Sequence, residues 1–369
     1  MFAQNKTRYG SNSMLADALV FSVEGESYCW RDVILSAVLR GDWRALESRT
    51  RHGAACVRHA ETAGRVSSAA ALELAGREFR YAHDLVTAQS MEEWLQRHEL
   101  SVLDWTAYLR RDLERARCSA HLDDLVVRYP LSDEEAIRLT LVEATCSFEL
   151  DAWARSLAER AAAHAFVVGS KSLTGQPAAA PTPDAPAETP RHFPVSILLG
   201  DDPATLQQSA QRLQRLEQSL NGFRAALLTE RAVQDFVRSR QLDWVRFDCR
   251  VMAFPDEGMA AEAALLLRED GEGFTGVYQV AHTEPRAAQF FLDQIDDAMR
   301  DHFLGSRPGD LIGPVRVESE YVLYQVEEKV LPTVGDADVR RRAEDGVLNN
   351  ALGYQSQQRV NWQAPKGAR

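Results

Sequence analysis

Long apolar runs are missing from this chain of 369 residues. No window approaches the ~18 consecutive apolar residues of a spanning helix, and Met1 to Arg8 lacks the apolar core of a signal peptide. The expected location is therefore the cytoplasm, with no membrane partner. Positive charge is also in short supply: 42 Lys and Arg face 54 Asp and Glu, for a net charge of -12. A chain of that sign repels phosphate backbones, and no basic stripe is interleaved with aromatics, so nucleic acid is not an expected partner. Cysteine is sparse. Cys29, Cys56, Cys118, Cys146 and Cys249 are scattered, with no C-x-x-C. Reduced, mostly buried thiols are expected, and no structural metal. The chemistry-bearing local motifs are wanting as well: G-x-x-x-x-G-K-[ST], H-E-x-x-H and G-x-S-x-G do not occur, and no cofactor is implied. His52 and His59, seven apart on one expected helical face, could hold a metal only with further ligands; solvated surface histidines are the simpler reading.

What is present is helix and one clear interruption. Lys171 to Pro190, KSLTGQPAAAPTPDAPAETP, is rich in proline and poor in bulky apolar residues, which predicts an extended linker over 169–192. Residues 1–168 read as a helical module. A short strand, Leu19 to Val23, and a turn at Glu24-Gly25-Glu26 lead into a helix from about Trp30 to Leu39. Ser67 and Ser68 precede a stripe of Leu72, Ala75, Phe79, Ala82 and Val86 at helical spacing. Ser101 with Asp104, and Ser132 with Glu135, carry the spacing of a capping box ahead of two more helices. Trp30, Trp43, Trp94, Trp105 and Trp153 concentrate here and fit either helix packing or an apolar groove for a peptide.

Beyond the linker, residues 193–241 predict connecting helices, one of them following Thr229-Glu230. The texture then changes. Trp244 to Phe254 alternates apolar and polar residues like a strand; helices are expected at Gly258 to Arg268, Phe274 to Val280 and Ala288 to Phe303. Asp293, Asp296, Asp297 and Asp301 read as the wet face of the last of these. Strands follow at Leu311 to Val317 and Tyr321 to Glu327, then a helix from about Asp338 to Val360. The pattern describes an α+β, helix-rich protein with a small α+β unit over 242–332 and a terminal helical segment over 333–369.

The segment PGDLIGPVRVESEYVLYQVEEK, Pro308 to Lys329, resembles the C-terminal half of a parvulin-type peptidyl-prolyl isomerase, and VRFDCRVMAF, Val245 to Phe254, is similar to that family's first strand. The all-helical first module is similar to the SurA chaperone layout, which implies that the terminal helix packs on the N-terminal module. The stretches REFRYAHDLVTAQSMEEWL, AAEAALLLREDG and KVLPTVGDADVRRRAEDGVL look like the PpiC-related peptide maturation system proteins of ribosomally synthesised modified peptides. That likeness implies a precursor-peptide partner, with a peptide-modifying enzyme as a further one.

Carried over residue by residue, the parvulin resemblance places the first-strand histidine on Cys249 and the final-strand histidine on Val322, so neither imidazole is present. The G-G-x-L-G loop of the family is missing. The two residues flooring its proline pocket fall on Ile295 and Met299, one helical turn apart and apolar; Phe254 and Phe291 complete the expected peptide-binding set. No catalytic residue is expected. The resemblance implies a non-catalytic binding protein that holds a precursor peptide, against two alternatives: an active prolyl isomerase with an unorthodox site, and a general holdase chaperone.

Overall fold

The computed structural model describes residues 17–118, 121–174, 203–269 and 284–363. The chain divides into two compact units, Met1–Phe223 with Ala351–Arg369, and Arg224–Asn350. The helix-rich α+β expectation holds: small antiparallel sheets stand among many helices.

The first unit opens with a hairpin, β1 (Leu19–Val23) and β2 (Glu26–Cys29). Its turn residues Glu24 and Gly25 both have positive φ, 47° and 90°, the backbone twist that suits a two-residue hairpin loop. A third strand, β7 (Val360–Trp362), pairs antiparallel with the other edge of β1. Helix α1 (Trp30–Arg40) starts where the Asp32 carboxylate accepts the Cys29 N–H at 3.0 Å, and α2 (Asp42–Thr62) follows after Gly41 at φ 86°. The serine signals mark helix starts as read. Ser68 caps α3 (Ala69–Ala82), Ser101 and Asp104 form a capping box on α5 (Val102–Arg117), and Ser132 caps α7 (Asp133–Cys146). Between them lie α4 (Ala88–Arg97), capped by Thr87, and α6 (Leu122–Arg128); α8 (Glu149–Thr174) closes the run.

Two apolar clusters hold this unit. Phe21, Tyr28, Leu35, Trp43, Trp153 and Leu157 pack with Leu213 and Leu216 of α9 (Pro203–Leu227). Phe79, Met91, Trp94, Leu95 and Leu109 form the other, with Trp105, Tyr108 and Phe148 against them. Trp43, Trp94 and Trp153 are thus core residues, each contributing the large apolar burial of an indole. Lys171 to Thr174, expected in the linker, extend α8 instead, because no proline interrupts the ladder before Pro177; residues 175–192 of that call lie outside the described residues. The expected connecting segment, 193–241, also divides: the bulk of α9 belongs to the first unit.

The second unit contains α10 (Glu230–Ser239), β3 (Arg246–Phe254), α11 (Glu257–Glu269), β4 (Arg286–Phe291), a 3₁₀ turn at Leu292–Gln294, α12 (Asp297–Gly305), β5 (Leu311–Val317), β6 (Glu320–Val330) and the first part of α13 (Ala337–Arg359). Its strands form an antiparallel sheet in the order β4-β3-β6-β5. The helix expected from Ala288 to Phe303 is corrected to strand, 3₁₀ turn and short helix. Residues 286–291 pair with β3, setting Phe290 across from Phe247, and this non-local ladder overrides the helical preference of Ala287, Ala288 and Gln289. The helix expected at Phe274 to Val280 lies outside the described residues.

Helix α13 is shared. Its Val339 and Ala343 pack with Val233 and Val237 of α10 and with Trp244. Gly346 makes that approach possible, since a Cβ there would lie 2.4 Å from the Phe236 ring. From Ala351 onward the helix belongs to the first unit, where Arg359 pairs with Glu24 and β7 joins β1. The terminal segment is therefore divided between the units rather than given wholly to the N-terminal one.

Candidate functional site

Strand alternation sorts the six expected site residues before any chemistry is considered. Cys249 of β3 and Val322 of β6 point to the same face of the sheet as Phe247, Val251, Tyr324 and Val326, and Leu292 and Phe303 cover that face with Ile295 and Met299 packed against them. Phe254 points the other way, into a cluster with Met252, Leu323 and the alanines of α11, Ala260, Ala263 and Ala264. Phe291 belongs to neither. It lies beneath the Arg342 guanidinium, 4.3 Å from the ring centroid, in a stack that also takes in Trp244 at 4.9 Å. Four of the six residues are thus brought together.

Their geometry departs from a facing pair of histidines and a helical pocket floor. In the register, Cys249 stands across from Val326 and Val322 across from Ala253, with the Val251–Tyr324 pair between them. Ile295 sits in extended backbone between the 3₁₀ turn and α12, so it and Met299 are not one turn apart on a helix; this corrects the spacing inferred from sequence. Cys249 and Val322 are withdrawn from solvent, whereas Ile295 and Met299 are half-buried. Aromatic rings fill the face: Phe303 lies 5.3 Å from Phe247, 5.2 Å from Phe290 and 5.5 Å from Tyr324, mostly edge to face. Full burial of Phe247 and Phe303 contributes roughly 1.5–3 kcal/mol each.

Burial pushes the Cys249 thiol up to about 12, and the neighbouring carboxylates of Asp248 and Glu327 push it the same way. The group stays a neutral thiol at ordinary pH, which removes the thiolate a nucleophile needs. Tyr324 is raised too, by the same desolvation.

The sequence resemblance pointed to Pro308 to Val315 without saying what the turn does. Gly309, at φ 96°, donates its N–H to the Val326 carbonyl at 2.7 Å, and Asp310 accepts the Arg307 N–H at 2.7 Å, tying the turn to β6. Gly313 has φ 113°, and a Cβ on it would fall 2.6 Å from the Val322 carbonyl oxygen; only glycine fits there. This turn and β5 line a groove of about 750 Å³ together with Leu267 and Arg268 of α11 and with His302 and Ser306. Arg268 donates to the Gly313 carbonyl at 3.3 Å. The groove mixes apolar Ile312 and Val315 with Asp310 and Gln325. The side chains of Arg268 and His302 escaped notice in the sequence because nothing local sets them beside the turn; strand pairing brings them there.

The two histidines weighed as ligands are otherwise engaged: His52 meets Asp123 at 3.0 Å, and His59 lies 6.1 Å from the Tyr129 ring. Among the described residues no group of three or more His, Cys, Asp or Glu side chains is placed to hold a metal, and no helix is long and apolar enough to cross a membrane.

Fold and site together define a helix-rich α+β protein whose small sheet is filled on one face by aromatics and a neutral thiol. No family model matches the chain, and no curated protein sequence matches it.

Proposed function

We propose that this chain is a non-catalytic peptide-binding protein, a degenerate relative of the SurA/parvulin type, that holds a precursor peptide while a ribosomally made product matures. One observation carries the reading: where the resemblance calls for two imidazoles, the sheet has Cys249, a buried neutral thiol, and Val322, both sealed under an aromatic layer. Lowering the ~18–20 kcal/mol amide barrier requires a shaped site that distorts and desolvates the X-Pro bond. Among the described residues of that packed face, the Cys249 thiol and the Tyr324 phenol are both raised by burial, so neither is a group that titrates near neutral pH beside such an amide.

Peptide contact then falls to surface that solvent reaches. The groove over Ile312 to Val315 is lined mostly by polar surface, with Arg268, His302, Asp310 and Gln325 beside apolar Ile312 and Val315, a mixture that suits the main-chain hydrogen bonds of an extended chain and a few of its side-chain contacts. Ile295 and Met299, half-buried against the aromatic layer, supply further apolar contacts in this reading.

Two measurements on one protein preparation test this. In a protease-coupled assay with a short X-Pro peptide, the uncatalysed isomerisation rate is expected; acceleration abolished by Cys249→Ser establishes an isomerase instead. In calorimetric titration with the precursor peptide of a neighbouring gene, binding is expected, with at least tenfold weaker affinity for Val315→Asp, consistent with loss of an anchor of ~2 kcal/mol. Equal affinity for unrelated unfolded chains identifies a general holdase, and unaltered binding by folded Val315→Asp removes the groove from the reading.

A further inference from the structure

The chain is acidic as a whole, and the groove beside β5 does not share that charge. Among the described residues, three ionisable side chains line it: Arg268 in the last turn of α11, His302 on α12 and Asp310 in the turn before β5. Asp310 is turned back on its own loop, where Oδ2 accepts the Arg307 N–H at 2.7 Å. Arg268 is exposed, and its Nη2 donates to the Gly313 carbonyl at 3.3 Å, which holds the guanidinium beside the strand. Gly313 is itself fixed, packed so closely on the Val322 carbonyl that a Cβ would lie 2.6 Å from it. Among the described residues no carboxylate pairs with Arg268. A guanidinium carries its N–H donors in a planar fork, so one bond to Gly313 leaves a two-donor edge for a carboxylate. Half-buried Val315 lies in the same groove and offers an apolar contact to a neighbouring side chain.

We infer that the groove selects acidic peptides: an extended segment in which a glutamate or aspartate side chain takes the open edge of the Arg268 guanidinium while an adjoining apolar residue covers Val315. The inference rests on the groove being the peptide-contact surface of the proposed function, and it adds the chemistry of the anchor. Charge separates this occupant from a basic one. The net charge of -12 draws cationic peptides toward the chain at long range, but that attraction is screened beyond about 8 Å at physiological ionic strength. Inside the groove a cationic side chain meets Arg268, and the carboxylate there, Asp310, is already bonded to the turn. Whole-chain charge and groove charge therefore predict opposite orders of preference. A glutamine in the anchor position retains one carbonyl acceptor and loses both the charge and the paired geometry of a carboxylate on a guanidinium.

The experiment is calorimetric titration of the full-length chain with three acetylated and amidated pentapeptides, Ala-Val-Glu-Val-Ala and its forms with Gln or Lys in place of Glu. The Glu peptide is expected to bind about fivefold more tightly than the Gln peptide, with the Lys peptide weakest. Arg268→Gln is expected to abolish the preference for Glu over Gln, and Arg268→Lys to keep part of it, since an ammonium retains the charge and not the fork. Circular dichroism checks that both variants fold. An arginine that only ties α11 to Gly313 would shift all three affinities together, so the Glu-to-Gln ratio is the readout that separates recognition from support. Equal affinities for Glu and Gln, a Lys peptide that binds most tightly, a preference that survives Arg268→Gln, or no binding of the Glu peptide overturns the inference. The underlying reading is decided separately, by the precursor-peptide titration with Val315→Asp, so the two can fail independently.

Discussion

In the helical unit Arg111, Glu114 and Glu143 are almost wholly buried, with Asp32, Thr50, Thr140 and Thr145 beside other apolar neighbours; among the described residues of the sheet unit Ser306 is the one buried polar side chain. Each of these seven polar side chains in the first unit has an assigned partner. Arg111 donates to Glu143 at 3.2 and 3.3 Å, Arg49 adds a second cation at 3.6 Å, and Thr50 and Thr140 return their hydroxyls to the carbonyls of Leu46 and Ala136. Helices of similar amphipathic pattern can pack in several registers, and a buried ion pair between α5 and α7 penalises the wrong ones. A sheet needs less of this. Its register is set by the alternation of apolar side chains and by its turns, so its core can be aromatic and aliphatic throughout.

The largest expected effect tests that division. Glu143→Leu leaves the Arg111 charge buried without its carboxylate and is expected to destabilise the protein by ~3–5 kcal/mol in urea unfolding, whereas the double variant Arg111→Met with Glu143→Leu returns close to wild type. Equal losses in both would mean that packing, not charge, holds α5 to α7. Within the sheet unit, two glycines of one turn make the next comparison. Gly313→Ala combines positive φ with a clash on the Val322 carbonyl and is expected to cost about 2 kcal/mol or more, while Gly309→Ala, with open space around it, carries only the ~1 kcal/mol of strained backbone.

Cys249→Ser should be milder. A hydroxyl there has no assigned partner within the apolar face, which implies roughly 1–3 kcal/mol lost by thermal unfolding with peptide affinity unchanged. The smallest effect is the pH response of His83, whose ring stacks on Phe148 at 4.0 Å and whose pKa burial lowers below 6.5. A depressed imidazole favours the folded state above 6.5 and loses that contribution as pH falls through its folded value. Proton NMR should place its titration below 6.5, and His83→Phe should flatten the stability profile across that window.

Local chemistry was legible wherever a backbone group has a side-chain partner a few residues away. Ser68, Ser101 and Ser132 announce their helices because the cap bond spans three residues, and Val245 to Phe254 shows its strand by alternation. Arg286 to Phe291 did not show as a strand: three of its residues favour helix, and the reason for extension, the aromatic pair Phe290–Phe247, is more than forty residues away in sequence. The candidate site was legible in the same uneven way. Cys249 and Val322 were named through the parvulin resemblance, but the rings that seal the face they share come partly from α12, and the turn at Gly313 reads as a motif without revealing the groove beside it.

The hairpin of β1 and β2 acquires its third strand from residues 360–362, far later in the chain. During synthesis the sheet unit, residues 224–350, emerges complete while the helical unit still lacks its last strand and the end of α13. A nascent chain therefore passes through a stage in which one edge of β1 has open main-chain hydrogen-bonding groups, a template for pairing with another chain. The unit that begins first on the ribosome is finished last, and its assembly is gated by the length of everything in between.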